Sequence, residues 1–213
     1  RIARRGAEGV TSLGELDDWI DRHGIRFFKI GVFDVDGVLR GKYVDRIKLR
    51  SAVDKGFGFC DVVLGWDLHD ELYERVEVSG WHTGYRDATV RLDLSSLRRV
   101  PFEEDTLLLI GHFTGEYADV CPRTILSRQL DRAARMGFGV DAAFEYEFFL
   151  FDETPDSIRE KGYRGLQPVT PGMFGYSVLR SSVHAEFYHD LLELMEEFDC
   201  ALEGLHTETG PGV

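Results

Sequence analysis

The feature that most constrains the fold is the apolar octet at residues 144–151, which reads FEYEFFLF. Its aromatic content, the glycines before it and Pro155 after it predict a buried β-strand. Side chains alternate along a strand, so Glu145 and Glu147 are predicted on one face, roughly 7 Å apart. Such carboxylates repel each other and lose hydration when buried, and bound Mg2+ or Mn2+ would remove that cost. The octet therefore predicts a metal site, with a half-solvated strand as the alternative.

Charge and cysteine usage narrow the class of protein. The 213 residues carry a formal net charge of −13, which argues against nonspecific binding to nucleic acid or to anionic membranes. No run of about 18 apolar residues is present, so no transmembrane helix is predicted. The three cysteines are far apart and form neither a disulfide framework nor a zinc motif. We therefore expect a reducing, cytoplasmic environment.

The first part of the chain predicts a small α+β unit with an antiparallel sheet. Ser12 and Glu15 have the spacing of a capping box, and Gly24 ends the helix that follows. Asp36-Gly37 is a strong signal for a hairpin turn. The other predicted elements are strands at 27–33, 38–44 and 88–94, a helix near 47–55, and an irregular aromatic stretch at 66–85.

The pattern changes near Pro101. The predicted elements are a strand at 106–113, a helix from Pro122 to Gly137, the octet, a loop at 155–174 and a helix capped by Ser181 or Ser182. The sequence thus predicts one domain at residues 1–105 and a second at 106–213.

A second motif, VFDVDGVL at residues 32–39, resembles the first motif of the haloacid-dehalogenase-like phosphatases. In that interpretation Asp34 is the nucleophile and Asp36 the general acid. The other motifs of that family are not found, and the residues after Gly37 continue as a strand. A hairpin turn is the simpler interpretation, and the phosphatase stays a third alternative.

The octet and the end of the sequence together resemble the glutamine synthetase family. Residues 145–151 are similar to the family's E-x-E-F-F-L-F strand, and His206-Thr207-Glu208 resembles its H-[HT]-E segment before a glycine turn. Weaker matches are Cys121-Pro122-Arg123, the segment from Phe33 to Lys42, and the spacing of Asp87 and Asp93. The matches span nearly the whole chain in the family's order.

This resemblance implies an α+β fold in which a β-grasp-like N-terminal domain precedes the first part of a catalytic domain, an antiparallel sheet with flanking helices. It implies a ligase that uses ATP to phosphorylate the γ-carboxylate of glutamate and then joins it to ammonia or an organic amine. Glu147 and Glu208 would bind Mg2+ (or Mn2+) beside the acyl substrate, and Glu145 the metal at the nucleotide phosphates. Glu203 resembles a position near the nucleotide.

The resemblance also implies a homo-oligomer, in which the N-terminal domain completes the active site of a neighbouring subunit. Asp87 would help to bind the amine, and Asp61 is a second candidate for that role. The family's D-G-S-S pattern is replaced by DVVL from Asp61 onwards, so ammonia and an organic amine both stay open. Aromatic residues of the 66–85 stretch could accept an alkyl or cationic group, or could pack the core.

Members of this family are longer than 213 residues and carry further ligands after the segment that matches here. The resemblance therefore implies that these residues alone are inactive. The alternative from a different class is a non-catalytic scaffold of the same fold. The clustered glutamates argue against it, because a scaffold has no need for carboxylates that repel each other.

Overall fold

The computed structural model describes residues 9–212, and their contacts divide them into two compact units. The first unit contains residues 9–140 and 197–199, and the second contains 141–196 and 200–212. Within residues 9–212, no helix combines the length and the apolar character needed to cross a bilayer. Both units contain helices, and the sheet lies in the first.

The first unit has the predicted mixed α+β composition. Its helices are α1 (Leu13–Arg22), α2 (Arg46–Lys55) and α3 (Pro122–Arg135), and its strands are β1 (Phe27–Phe33), β2 (Leu39–Val44), β3 (Phe57–Cys60), β4 (Asp87–Arg99) and β5 (Thr106–Phe113). Short 3-10 turns follow β3 and β5, at Asp61–Leu64 and Gly115–Asp119.

The sheet has the strand order β2-β1-β5-β4-β3. Neighbouring strands are antiparallel except for β1 and β5, which run parallel. The antiparallel sheet predicted for the first part of the chain holds for β1 and β2, and the later strand β5 adds a parallel pair that was not predicted. The reason is that β5 enters the centre of the sheet, where its unbroken apolar sequence is covered on both faces. The predicted domain boundary at residue 105 stays a prediction.

Local signals near the N-terminus are confirmed. The Ser12 hydroxyl accepts a hydrogen bond from the backbone N–H of Glu15 at 3.3 Å and so caps α1. The β1–β2 hairpin closes where Val38 C=O accepts from the N–H of Asp34 at 3.0 Å. Gly37 has φ +82°, a value that glycine adopts without strain.

A single apolar cluster forms the main core of the first unit. Helix α2 packs against β1 and β4, and α1 packs against α2. Fully buried side chains in this cluster include Leu16, Ile20, Ile30, Leu49, Leu107, Leu109 and Phe113. Each contributes about 1.5–3 kcal/mol when it leaves water, so these helices are held chiefly by their apolar faces.

The second unit contains the short helices α4 (Pro155–Glu160) and α5 (Val178–Val183), followed by α6 (Ala185–Glu197). The helix predicted to begin at Ser181 or Ser182 is α6, which begins at Ala185. Both serines lie inside α5, which Ser177 caps, so the predicted cap is wrong. His184 separates α5 from α6. The predicted loop at 155–174 begins with α4, which Thr154 caps reciprocally with Ser157.

The octet is not a buried strand, so that prediction is wrong. Phe144 and Tyr146 are 82% and 78% exposed, and residues 144–149 have no strand partner in the described chain. Backbone pairing begins only at the end of the octet, where Leu150 N–H donates to Gly212 C=O at 2.7 Å and Phe151 forms a β-bridge with Pro168. A strand requires a neighbouring backbone along its length, and only the last two residues of the octet have one.

Candidate active site

In the second unit, the charges of three predicted metal ligands act on one phenol, that of Tyr176. The charge of Glu208 raises the pKa of Tyr176 above its usual value. Burial, a hydrogen bond from the phenol to Glu208 and the charges of Glu145 and Glu147 act in the same direction. The structure therefore brings Glu145, Glu147 and Glu208 within electrostatic reach of a single hydroxyl.

These three carboxylates suit a hard divalent cation in donor type. Carboxylate oxygens are the protein ligands that Mg2+ and Mn2+ prefer. Glu145 and Glu147 are exposed, and the side chain of Glu208 is 24% exposed. Across residues 9–212, no three acidic, histidine or cysteine side chains are already gathered as a metal centre. The donor set fits the cation, and the side chains would have to converge further to coordinate it.

The Glu208 segment is fixed by a buried threonine. Thr207 is 3% exposed, and its hydroxyl donates to Phe174 C=O at 2.7 Å. The same hydroxyl accepts from Ser177 N–H at 3.1 Å, and Thr207 C=O accepts from Tyr176 N–H at 2.7 Å. Three hydrogen bonds therefore join the segment 174–177 to Thr207.

Tyr176 is a site residue that sequence reasoning missed. Its ring stacks on His206, with centroids 4.4 Å apart, and His206 Nδ1 lies 3.5 Å from Glu208 Oε1. The only signal in the sequence was its place after the glycine- and proline-rich loop, whose predicted end at residue 174 lies just before it.

A glycine turn joins the two glutamate-bearing segments. Gly212 C=O accepts from Leu150 N–H, close to Glu147 in sequence, and Gly212 N–H donates to the Thr170 hydroxyl at 2.7 Å. A Cβ on Gly212 would lie 2.6 Å from the Leu150 carbonyl oxygen, so any other residue would push these segments apart. Glu203 is exposed, and no contact described for the chain ties it to this group.

In the first unit, the two predicted amine-binding carboxylates differ sharply in exposure. Asp61 is fully buried and accepts hydrogen bonds from the hydroxyls of Ser79 and Tyr117, both at 3.1 Å, and of Thr83 at 3.3 Å. Asp87 is exposed at the first residue of β4, opposite Cys60 of β3. Asp61 thus holds the end of the aromatic stretch in place, and Asp87 presents its carboxylate to solvent.

The aromatic stretch at 66–85 does not pack as one body. Trp66 lies against the core, and the Arg40 guanidinium lies 4.9 Å from its ring centroid. Trp81 is 84% exposed, and its ring meets the edge of Tyr85 at a centroid distance of 5.2 Å. Tyr73 is 43% exposed. The core-packing alternative therefore holds for Trp66 and is wrong for Trp81.

The phosphatase alternative requires a reactive Asp34, and the structure gives this residue a structural role. Asp34 is fully buried, and its Oδ1 accepts from the N–H groups of Asp36 and Val38 at 3.0 and 2.8 Å. Its Oδ2 accepts from Arg40 Nε at 2.8 Å. Both oxygens are engaged in closing the hairpin, so neither is available to attack a phosphoryl group.

A cavity of about 300 Å³ lies beside the start of α3. Its wall includes His112 and the ion pair between Arg123 and Asp93. Burial would raise the pKa of Asp93, but hydrogen bonds from Ser95 and Arg123 outweigh it and lower that pKa. The Thr124 hydroxyl is buried there with no partner in the described part of the chain.

Comparison with known proteins places residues 119–213, which include Glu145, Glu147, Glu203 and Glu208, in the family described as glutamine synthetase, catalytic domain. Over 190 residues, the chain is 44% identical to type-1 glutamine synthetase 2 of Dictyostelium discoideum, covering 88% of this chain and 36% of that protein. Over 209 residues, it is 34% identical to the glutamate–isopropylamine ligase of a Pseudomonas species, covering 96% and 46%.

A solved GmaS/ADP complex shares the fold, with a TM-score of 0.64 at 18% identity, over 92% of this chain and 42% of that one. The chain therefore spans less than half the length of each of these proteins. Its match to the catalytic-domain family includes the glutamates whose charges act on Tyr176, and its similarity to the curated relatives extends over most of its length. The chain belongs to the glutamine synthetase family.

Proposed function

We propose that the protein is an ATP-dependent carboxylate–amine ligase that phosphorylates the γ-carboxylate of glutamate and condenses it with ammonia or an organic amine. The observation that carries this proposal is that Glu145, Glu147 and Glu208 all lie inside the stretch that matches the catalytic domain and that their charges all act on Tyr176. The names of the two curated relatives, a glutamine synthetase and a glutamate–isopropylamine ligase, support the reaction class.

The carboxylates divide into two groups by role. Glu147 and Glu208 would hold Mg2+ (or Mn2+) next to the acyl substrate, and Glu145 would hold the ion at the ATP phosphates. Bound there, the metal supplies positive charge against the transferring phosphoryl group. Glu203 is exposed, and in this account its carboxylate contributes to binding the nucleotide.

The chemistry needs two displacements. A γ-carboxylate oxygen of glutamate attacks the terminal phosphorus of ATP, ADP leaves from that phosphorus, and an acyl phosphate forms. The bound cationic amine first gives up one proton. Its nitrogen then attacks the acyl carbon, inorganic phosphate leaves, and a second proton leaves the nitrogen. We assign the binding of the cationic amine and the uptake of its first proton to Asp87, because its carboxylate is exposed.

Asp61 acts on the amine site indirectly in this account. Its buried carboxylate holds Ser79 and Thr83, and these residues flank the exposed Trp81. Trp81 offers an aromatic face to an alkyl or cationic group. We propose that residues 1–105 form a β-grasp-like domain that presents Asp87 and Trp81 to the catalytic domain of a neighbouring subunit in a homo-oligomer.

The test is phosphate release by the full-length protein with ATP, Mg2+ and glutamate, across a panel of amines that begins with ammonium. We expect release only when all components are present, and its loss in Glu147→Gln. The control is Glu193→Gln, an exposed glutamate on α6 outside the glutamate group, which should keep wild-type activity. Equal release from ATP when glutamate and amine are left out, or no release with any amine, would contradict the ligase and favour a phosphatase or a scaffold, respectively.

A further inference from the structure

We propose that Thr207 and Tyr176 are positioning residues that hold Glu208 in place as a metal ligand. This proposal rests on the proposed function, because it takes Glu208 as a ligand. It adds two residues that bind neither metal nor substrate in that account. Both belong to the second unit, together with the three glutamates.

The Thr207 hydroxyl makes two hydrogen bonds, one as a donor and one as an acceptor. It donates to Phe174 C=O and accepts from Ser177 N–H, so it fastens both sides of Tyr176 to the residue next to Glu208. Because Thr207 is buried, water cannot easily replace these partners if the hydroxyl is removed. Valine has the same shape but no hydroxyl, and it would leave a carbonyl and an N–H unpaired.

Tyr176 contacts His206, the residue that precedes Thr207. Its backbone N–H binds Thr207 C=O at 2.7 Å, and its ring lies over His206 with 21° between the ring planes. Tyr176 has φ +56°, a conformation that costs energy for a residue other than glycine. The hydrogen bonds of Thr207 on either side hold this backbone in place. The 174–177 segment thus restrains the backbone at Thr207, which fixes the place from which the Glu208 side chain extends.

A change in metal affinity distinguishes a residue that positions a metal ligand from one that only stabilises the fold. Second-shell partners of metal ligands typically change affinity by about 10–100-fold when they are removed. We expect Thr207→Val to bind Mn2+ about 10-fold more weakly than wild type, and Thr207→Ser, which keeps the hydroxyl, to stay within about 3-fold. Tyr176→Leu removes the stacking on His206 and the phenol hydrogen bond to Glu208 but keeps the backbone hydrogen bond to Thr207, and it should also weaken Mn2+ binding.

The experiment is Mn2+ titration of the full-length protein, followed by electron paramagnetic resonance, with the variants above and Glu208→Gln. Turnover is measured in parallel over a range of Mn2+ concentrations. High Mn2+ should restore turnover in Thr207→Val, since its ligands are intact, and should not restore it in Glu208→Gln. Tyr176→Leu supplies an independent test if Thr207→Val does not fold.

Two results would overturn the proposal, and they differ in what else fails. If Thr207→Val and Tyr176→Leu bind Mn2+ as tightly as wild type while Glu208→Gln binds weakly, the positioning role is wrong and the ligase account stands. If Glu208→Gln also binds Mn2+ and turns over like wild type, the ligand assignment in the proposed function is wrong, and the positioning role fails with it.

Discussion

Arg40 Nε lies 2.8 Å from Oδ2 of Asp34, which is the fully buried member of this ion pair. The other oxygen of Asp34 binds the N–H groups of the hairpin turn. The Arg40 guanidinium also lies over the ring of Trp66, at the start of the aromatic stretch. One ion pair therefore fixes both the β1–β2 hairpin and the segment that leads towards Trp81.

The first prediction concerns the stability that this ion pair provides. Asp34→Ala leaves the Arg40 charge without its buried partner, and we expect the free energy of unfolding to fall by about 3 kcal/mol in urea denaturation. Asp36→Ala, at the exposed tip of the same turn, should change it by less than about 0.5 kcal/mol. A stable, folded Asp34→Asn protein that has lost its activity would instead support the phosphatase interpretation.

The second prediction separates the two tryptophans of the aromatic stretch. Trp81→Ala should change the free energy of unfolding by less than about 0.5 kcal/mol, because the side chain is already exposed. Trp66→Ala should cost about 3 kcal/mol, because that ring packs against the core.

The same Trp81→Ala variant tests amine selectivity. If Trp81 contacts the amine, the ratio of kcat/KM for an alkylamine to that for ammonium should fall in the variant, while KM for ATP stays unchanged. An unchanged ratio would mean that Trp81 does not contact the amine and does not determine amine selectivity.

The third prediction is a pH dependence that arises at Glu153. Hydrogen bonds from Lys161, from the Ser157 hydroxyl and from Gln167 N–H lower the pKa of Glu153 to about 2. A carboxyl group whose pKa is lowered on folding stabilises the folded state above its ordinary pKa of 4.5. This contribution is lost progressively as the pH falls from about 4.5 towards 2.

The measurement is the urea midpoint of wild type and of Glu153→Gln between about pH 7 and pH 3. We expect wild type to be the more stable at neutral pH and the difference to shrink as the pH falls below about 4.5. Glu160→Gln, on the exposed side of α4, is the matched control and should show no such trend. A difference that stays constant over this range would mean that Glu153 does not stabilise the fold as a carboxylate.

The sequence predicted those parts of the structure that depend on neighbouring residues. The Ser12 cap, the hairpin at Gly37 and the Pro122 start of α3 each follow from local backbone chemistry, and all three are found. The parallel pairing of β1 and β5 was missed, because it joins segments that are far apart in the chain. Periodicity within a strand carries no information about which strand becomes its neighbour.

The candidate site shows the same limit. Glu145 and Glu147 were identified as candidates because paired carboxylates in an apolar stretch stand out in a sequence, and Glu208 was identified from the resemblance of its segment to the family motif. The octet that carries two of them was predicted as a strand from its composition, but strand formation depends on a partner backbone. Tyr176 and Thr207 were missed as functional residues, since their importance comes from the close approach of segments about 30 positions apart.

The most direct test of the central claim follows an oxygen atom. The full-length protein is given ATP, Mg2+, its best amine, and glutamate whose γ-carboxylate carries a heavy oxygen isotope. If the γ-carboxylate is phosphorylated, one labelled oxygen passes into each inorganic phosphate released, which mass spectrometry detects. The ligase account predicts that transfer, and predicts its loss in Glu147→Gln. Phosphate that is released with turnover but carries no label would contradict the account, because its oxygen would then have come from water.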